Sequence, residues 1–220
     1  MRVEQATAVK ICGVTTIDQA KQIADLGVNA IGLIGVKKST RYVSASIRES
    51  IFNEIAIRNP LIERVWVVSD IKHSELDKGI KSKGSPSIIQ LHGQESKEEC
   101  KYIKTKYPHI KLWKALRVRG PEDFLLGKDY EQLIDALLLD SWSPKELGGT
   151  GKTIPIEWFS KVNFAVPWWL AGGISAECVN ELIAKANPFG VDASSKLEIS
   201  PGIKDINKVK DLLKALKRYK

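Results

Sequence analysis

A chain of 220 residues, 43% hydrophobic and 27% charged, carries enough apolar surface for one packed core and too much for a disordered segment. Its net charge of +8 is scattered, and the densest stretch, residues 204–220, sets seven positive and two negative residues beside Ile206, Val209, Leu213 and Leu216 at helical spacing; these lysines are expected on the wet face of a docked helix, not on a nucleic acid. The N-terminal residues lack a secretory apolar stretch and no run approaches the roughly 18 apolar residues of a membrane span, so a cytoplasmic protein without membrane or nucleic-acid partners is expected.

Along the chain, apolar strand-like runs alternate with amphipathic helical windows. The strands are expected at Val9 to Ile11, Ala30 to Ile34, Val65 to Val68, Ser87 to Leu91, Lys111 to Ala115, Ala136 to Leu139, Trp168 to Leu170 and Gly190 to Asp192. Eight such runs, each followed by a helical window, predict an α/β fold: a (β/α)8 TIM barrel forming a single domain over residues 1–220. Thr15 with Asp18 reads as a capping box opening the first helix, and Gly27 as its stop. Ser175 reads as the cap of a later helix whose inward stripe is Val179, Leu182, Ile183 and Ala186. Between Pro121 and Ile134 the pattern admits one helix or two short pieces.

In such barrels the reactive residues lie at the C-terminal ends of the strands. Cys12 closes Ala-Val-Lys-Ile-Cys-Gly and Asp140 closes Ala-Leu-Leu-Leu-Asp-Ser. The thiol is either a small buried hydrophobe or a catalytic group. Asp140, and Asp192 at strand eight, either cap the following turns or carry a raised pKa suited to proton donation. Gly172, Gly173, Ser194 and Ser195 are small enough to let backbone amides reach a phosphate, which points to a phosphorylated small-molecule substrate. Arg41, in a run of three nearby cations, has the planar fork that holds a carboxylate in two bonds. His92 follows Gln90-Leu91 at a strand end and is placed to line the pocket. Glycines and Lys152 in Gly-Gly-Thr-Gly-Lys-Thr (148–153) suggest a closing loop, because Glu146 occupies the position where a P-loop needs glycine. Three separated cysteines (Cys12, Cys100, Cys178) read as reduced thiols, and His73, His92 and His109 show no ligand spacing, so no metal is expected.

Taken in order, Lys10-Ile11-Cys12-Gly13, Ser39 with Arg41-Tyr42-Val43-Ser44, Gln90-Leu91-His92-Gly93, Leu138-Leu139-Asp140, the 148–153 loop, Ala171-Gly172-Gly173, and Asp192 with Ser194-Ser195 and Glu198 resemble the phosphoribosylanthranilate isomerase family from about Val9 to Lys210. That resemblance implies a cofactor-free Amadori rearrangement in tryptophan biosynthesis by a monomer or homodimer, with Asp140 as general acid and Cys12 as general base. The two roles require the carboxyl to be pushed up and the thiol down relative to their free values. It further implies that Arg41 holds the anthranilate carboxylate, that Gln90, His92 and Asp192 contact substrate, and that Gly172, Gly173, Ser194 and Ser195 hold the phosphate. Three departures from the family pattern bear on the site: Lys196 replaces a glycine, Lys37 and Thr40 replace prolines, and Gly35 replaces a bulkier residue. A related sugar-phosphate barrel enzyme and a non-enzymatic binding module are the competing readings; the thiol at strand one argues against the first.

Overall fold

The computed structural model describes residues 7–141, 154–161 and 163–217. Eight parallel strands close into a barrel in sequence order: β1 (Ala8–Cys12), β2 (Ala30–Ile34), β3 (Glu63–Val68), β4 (Ile88–Leu91), β5 (Lys111–Val118), β6 (Ala136–Ser141), β7 (Trp168–Ala171) and β8 (Gly190–Ala193). Helices α1 (Ile17–Asp25), α2 (Ala45–Arg58), α3 (His73–Ile80), α4 (Lys97–Lys106), α5 (Asp123–Lys128), α6 (Val179–Ala186) and α7 (Ile206–Lys217) follow seven of the eight strands. Among the described residues the crossover from β6 carries only a 3-10 helix, Ile156–Lys161. None of the described helices is long and apolar enough to cross a membrane.

Each strand is buried on both faces, which is why the runs read as continuously apolar, and the two-residue period assigns each side chain to a face. Val9, Ile11, Leu137, Leu139, Val191 and Ala193 pack outward against the helices. Ala8, Cys12, Ala136, Leu138, Trp113, Ala115, Trp169 and Ala171 fill the barrel interior. Continuing that inward parity along the strands carries Cys12, Asp140 and Asp192 to the C-terminal mouth. They are the final or next-to-final residues of β1, β6 and β8, not residues beyond the strands.

Local details depart from the sequence reading where tertiary contacts compete. The cap of α1 is Thr16, whose hydroxyl accepts from Gln19 N at 3.3 Å; Thr15 instead donates to the Gly202 carbonyl at 2.7 Å, tying the loop to the far end of the chain. Gly27 ends that helix as expected, its N–H donating to the Ala24 carbonyl. Ser175 opens only a turn: its carbonyl accepts from Cys178 N and Val179 N, and regular helix starts at Val179. The Pro121 to Ile134 segment resolves into two pieces, α5 and a 3-10 turn at Glu131–Leu133. After β8 comes an unforeseen hairpin of β9 (Glu198–Ser200) and β10 (Ile203–Lys204). It removes Lys204 from the wet face assigned to it. The Lys204 side chain is wholly buried, while Val209 and Leu212 supply the deepest contacts of α7.

Two of the family departures have structural reasons. A Cβ on Gly35 would lie 2.3 Å from Trp66 Nε1, so the indole of β3 already fills the space of a bulkier residue there. Among the described residues only Asp70 and Asn187 combine a side chain with positive φ, so Lys196 sits where no left-handed glycine is required.

Candidate active site

A cavity of about 750 Å³ opens at the C-terminal ends of the strands. Cys12, Arg41, Gln90, His92, Asp140, Gly172, Gly173, Asp192 and Ser194 all line it, with Ile34, Val67 and Ala171 as apolar wall. Gly172 and Gly173 adopt φ of +93° and +69°, leaving this stretch of backbone beside the cavity without side-chain cover. Of the ten residues expected to catalyse the reaction or to bind substrate and phosphate, Ser195 alone is absent from the lining; it begins a 3-10 turn, Ser195–Leu197. Lys152 and the 148–153 loop lie outside the described residues. Among the described residues no group of three or more His, Cys, Asp or Glu side chains is placed to hold a metal ion.

The base of the cavity is polar. Lys10 and Asp192 pair directly across the β1–β8 ladder, and the Lys10 ammonium donates to Asp192 Oδ2 at 2.7 Å. Asp192 Oδ1 is buried and makes no hydrogen bond. Gly32 on β2 gives these groups room, since a Cβ there would lie 2.8 Å from Cys12 Sγ and 3.0 Å from Lys10 Cε. Burial pushes the Cys12 thiol above its ordinary value, with the Lys10 ammonium pulling against it. That is opposite to the downward shift the sequence reading required, and the reason is that Cys12 sits inside the strand, away from water, not in the loop beyond it.

On the opposite side Gln90 Nε2 lies 3.2 Å from His92 Nδ1, and His92 Nε2 lies 3.4 Å from Asp140 Oδ2. An amide that donates to Nδ1 requires the tautomer with its proton on Nε2, the buried nitrogen that faces the carboxyl without a hydrogen bond. Arg117 was missed in sequence. It lines the same cavity, is the register partner of Asp140, donates from Nη2 to the His92 carbonyl at 3.2 Å and has a buried Nε with no hydrogen bond. The expected strand five stopped at Ala115; three further residues of β5 carry the inward parity of Trp113 and Ala115 on to Arg117.

The Arg41 fork does hold a carboxylate in two bonds, and the carboxylate is Glu198. Arg41 Nε and Nη2 donate to Glu198 Oε1 and Oε2, each at 2.8 Å. Lys204 donates to Glu198 Oε1 at 2.6 Å and to the Ser194 carbonyl and hydroxyl at 3.3 Å, while Ser194 Oγ donates to the Cys12 carbonyl at 3.0 Å. One buried network therefore ties the loop after β2, the end of β1 and the loop after β8. Burial works against the Glu198 charge, but Arg41 and Lys204 outweigh it and hold the carboxyl below its ordinary value.

The model of the N-(5'phosphoribosyl)anthranilate (PRA) isomerase family matches residues 9–215. A protein of Synechococcus elongatus named N-(5'-phosphoribosyl)anthranilate isomerase is 38% identical over 210 residues, covering 96% of each chain. The crystal structure of phosphoribosyl anthranilate isomerase from Thermus thermophilus superposes with a TM-score of 0.83 at 27% identity, over 97% of this chain and 100% of that one. A phosphoribosyl anthranilate isomerase crystallised with reduced 1-(o-carboxyphenylamino)-1-deoxyribulose 5-phosphate superposes with a TM-score of 0.80 at 27% identity, over 96% and 99% of the two chains.

Proposed function

The chain belongs to the N-(5'-phosphoribosyl)anthranilate isomerase family, enzymes of tryptophan biosynthesis that carry out an aldose–ketose isomerisation, and from that premise we propose that Asp140 is its general acid and Cys12 its general base. Asp140 protonates the furanose ring oxygen as the bond from C1′ to that oxygen breaks, leaving an iminium at C1′. Cys12 thiolate then removes the C2′ proton, and its electron pair moves to neutralise the iminium as an enolamine. Ketonisation puts a proton on C1′ and takes one from the C2′ hydroxyl. Asp140 has then lost one proton and Cys12 gained one, and exchange with solvent restores both. The observation that carries this reading is that one cavity brings a strand-end thiol and a strand-end carboxyl together with an exposed glycine backbone.

Around that pair, Gly172, Gly173 and Ser194 hold the phosphate, with Ser195 in the turn just outside the cavity lining as a further donor to it, Gln90, His92 and Asp192 contact the sugar, and Arg41 meets the anthranilate carboxylate. The buried Oδ1 of Asp192 supports the second role, because a substrate hydroxyl supplies the donor it lacks. The Glu198 clamp supports the third by fixing the Arg41 plane before substrate arrives. Replacing Arg41 by Lys swaps a fixed fork for a point charge and is expected to weaken substrate binding by about 1–3 kcal/mol, read as a raised KM. An unchanged KM removes Arg41 from this role.

Activity requires an ionised thiol and a protonated carboxyl together. The rate is expected to follow the population that holds both forms at once, and so to be lost at either extreme of pH. The loss of substrate fluorescence, followed across pH in the wild type and Asp140→Asn, tests this: the wild-type rate is expected to fall toward both pH extremes, and a profile unchanged in Asp140→Asn overturns the pairing.

A further inference from the structure

Lys10 is an expensive residue for the inside of a barrel. None of its side chain reaches solvent, and removing an ammonium from water costs several kcal/mol, of order, unless good partners replace the lost hydration. Apolar side chains fill the neighbouring inward positions, Ala8 and Ala30, without that cost. Lys10 stands two residues before Cys12 on the same face of β1. A point only 3.2 Å from its Nζ, above Gly32, is 2.8 Å from Cys12 Sγ. On its other side is Asp192 Oδ2 at 2.7 Å. One buried ammonium is thus flanked by two acids, the thiol and the carboxyl, and Gly32 leaves the space in which they meet.

We propose that Lys10 is the positioning residue for the base: it is the buried counter-ion on which the Cys12 thiolate depends, and it is shared with Asp192. This rests on the reading of Cys12 as the base. Two anions and one cation in so dry a site make the thiol and the carboxyl a coupled pair, each harder to ionise while the other is charged. The directions of the individual groups agree. Burial alone lowers the Lys10 pKa, but Asp192 and Cys12 raise it above the ordinary value, so it remains an ammonium. Burial raises Cys12, Lys10 lowers it and Asp192 raises it again. The other charged groups around the pair act on it more weakly: Lys204 of β10 favours the thiolate, while Asp140 of β6 opposes and His92 after β4 favours the Asp192 carboxylate. Arg41, from the loop after β2, lines the same mouth.

The test is the pH dependence of Cys12 alkylation by iodoacetamide, read by peptide mass mapping so that Cys100 and Cys178 do not contribute, with kcat and KM measured alongside. Lys10→Met is expected to move the alkylation midpoint up by at least about one pH unit and to lower kcat at neutral pH about tenfold or more, with KM changing less than roughly threefold. Asp192→Asn, which leaves the ammonium to the thiol alone, is expected to move the midpoint down. A Lys10→Met midpoint equal to that of the wild type overturns the proposal, and if that variant does not fold, an unmoved midpoint in Asp192→Asn does so. Alkylation needs no turnover, so the two readings separate. A fully active Cys12→Ser removes the base assignment, whereas an unshifted midpoint beside an inactive Cys12→Ser removes only the role of Lys10.

Discussion

Cys12→Ser and Asp140→Asn are each expected to lower kcat at least about a hundredfold, the usual contribution of a positioned acid or base, while leaving KM within a few fold. Serine keeps the shape and accepts a hydrogen bond, but its hydroxyl does not ionise in the accessible pH range, so the C2′ proton has no acceptor. Asparagine keeps the volume and an acceptor oxygen beside His92, 3.4 Å from the present carboxyl, but it cannot release a proton to the ring oxygen. Neither change empties space in the core, so unfolding midpoints are expected to stay close to that of the wild type. The double variant is expected to be no worse than the poorer single one, because ring opening and C2′ deprotonation are successive steps and the slower of them sets the rate. A loss below tenfold in either single variant would sink its assigned role, and a KM rising in step with the fall in kcat would recast that residue as a binding group.

The parity of the strands made the convergence of Cys12 and Asp140 on one cavity legible in sequence. Ala8, Lys10 and Cys12 share one face, as do Ala136, Leu138 and Asp140, and a barrel turns that face inward. The same rule held for Gln90, His92 and Asp192. It failed for Arg117 because strand five was read three residues short, ending where Leu116 and Arg117 are only half-buried. Local propensity misplaced the caps of α1 and α6, since Thr15 and Ser175 have other partners that propensity does not see: the Gly202 carbonyl for one and Cys178 for the other. The charge pairs were the least legible. Lys10 and Asp192 are 182 residues apart, Arg41 and Glu198 157. No spacing rule links such positions, and a lysine at 204 beside an amphipathic helix reads as solvated until the β9–β10 hairpin turns it inward.

That hairpin gives the largest expected effect on stability. Glu198 accepts from Arg41 Nε and Nη2 at 2.8 Å, from Lys204 at 2.6 Å and from Gly202 N at 3.2 Å, and all three side chains are nearly excluded from water. Glu198→Ala removes the carboxylate that two buried cations share. Lys204, whose pKa burial already lowers against the pull of Glu198, loses the partner that favours its charged form and is driven toward neutrality. Breaking a buried pair by removing one member typically costs about 3–5 kcal/mol, a large part of the 5–15 kcal/mol, roughly, that holds a domain together. For a chain of this size the thermal midpoint is expected to drop by about 6–20 °C. Because the Glu198 carboxyl is held below its ordinary value, its contribution is present above the unfolded pKa of about 4.3 and is lost as pH falls through the lower folded value. Urea unfolding of the wild type and Glu198→Ala should therefore differ most at neutral pH and converge in acid. Curves that differ by under about 1 kcal/mol at neutral pH would mean that the network is solvated and contributes as a surface pair does. Glu198→Gln separates geometry from charge: it keeps one acceptor oxygen for Arg41 or Lys204 but not both. If the clamp on Arg41 prepares the carboxylate site, this variant raises KM even where its stability is largely retained.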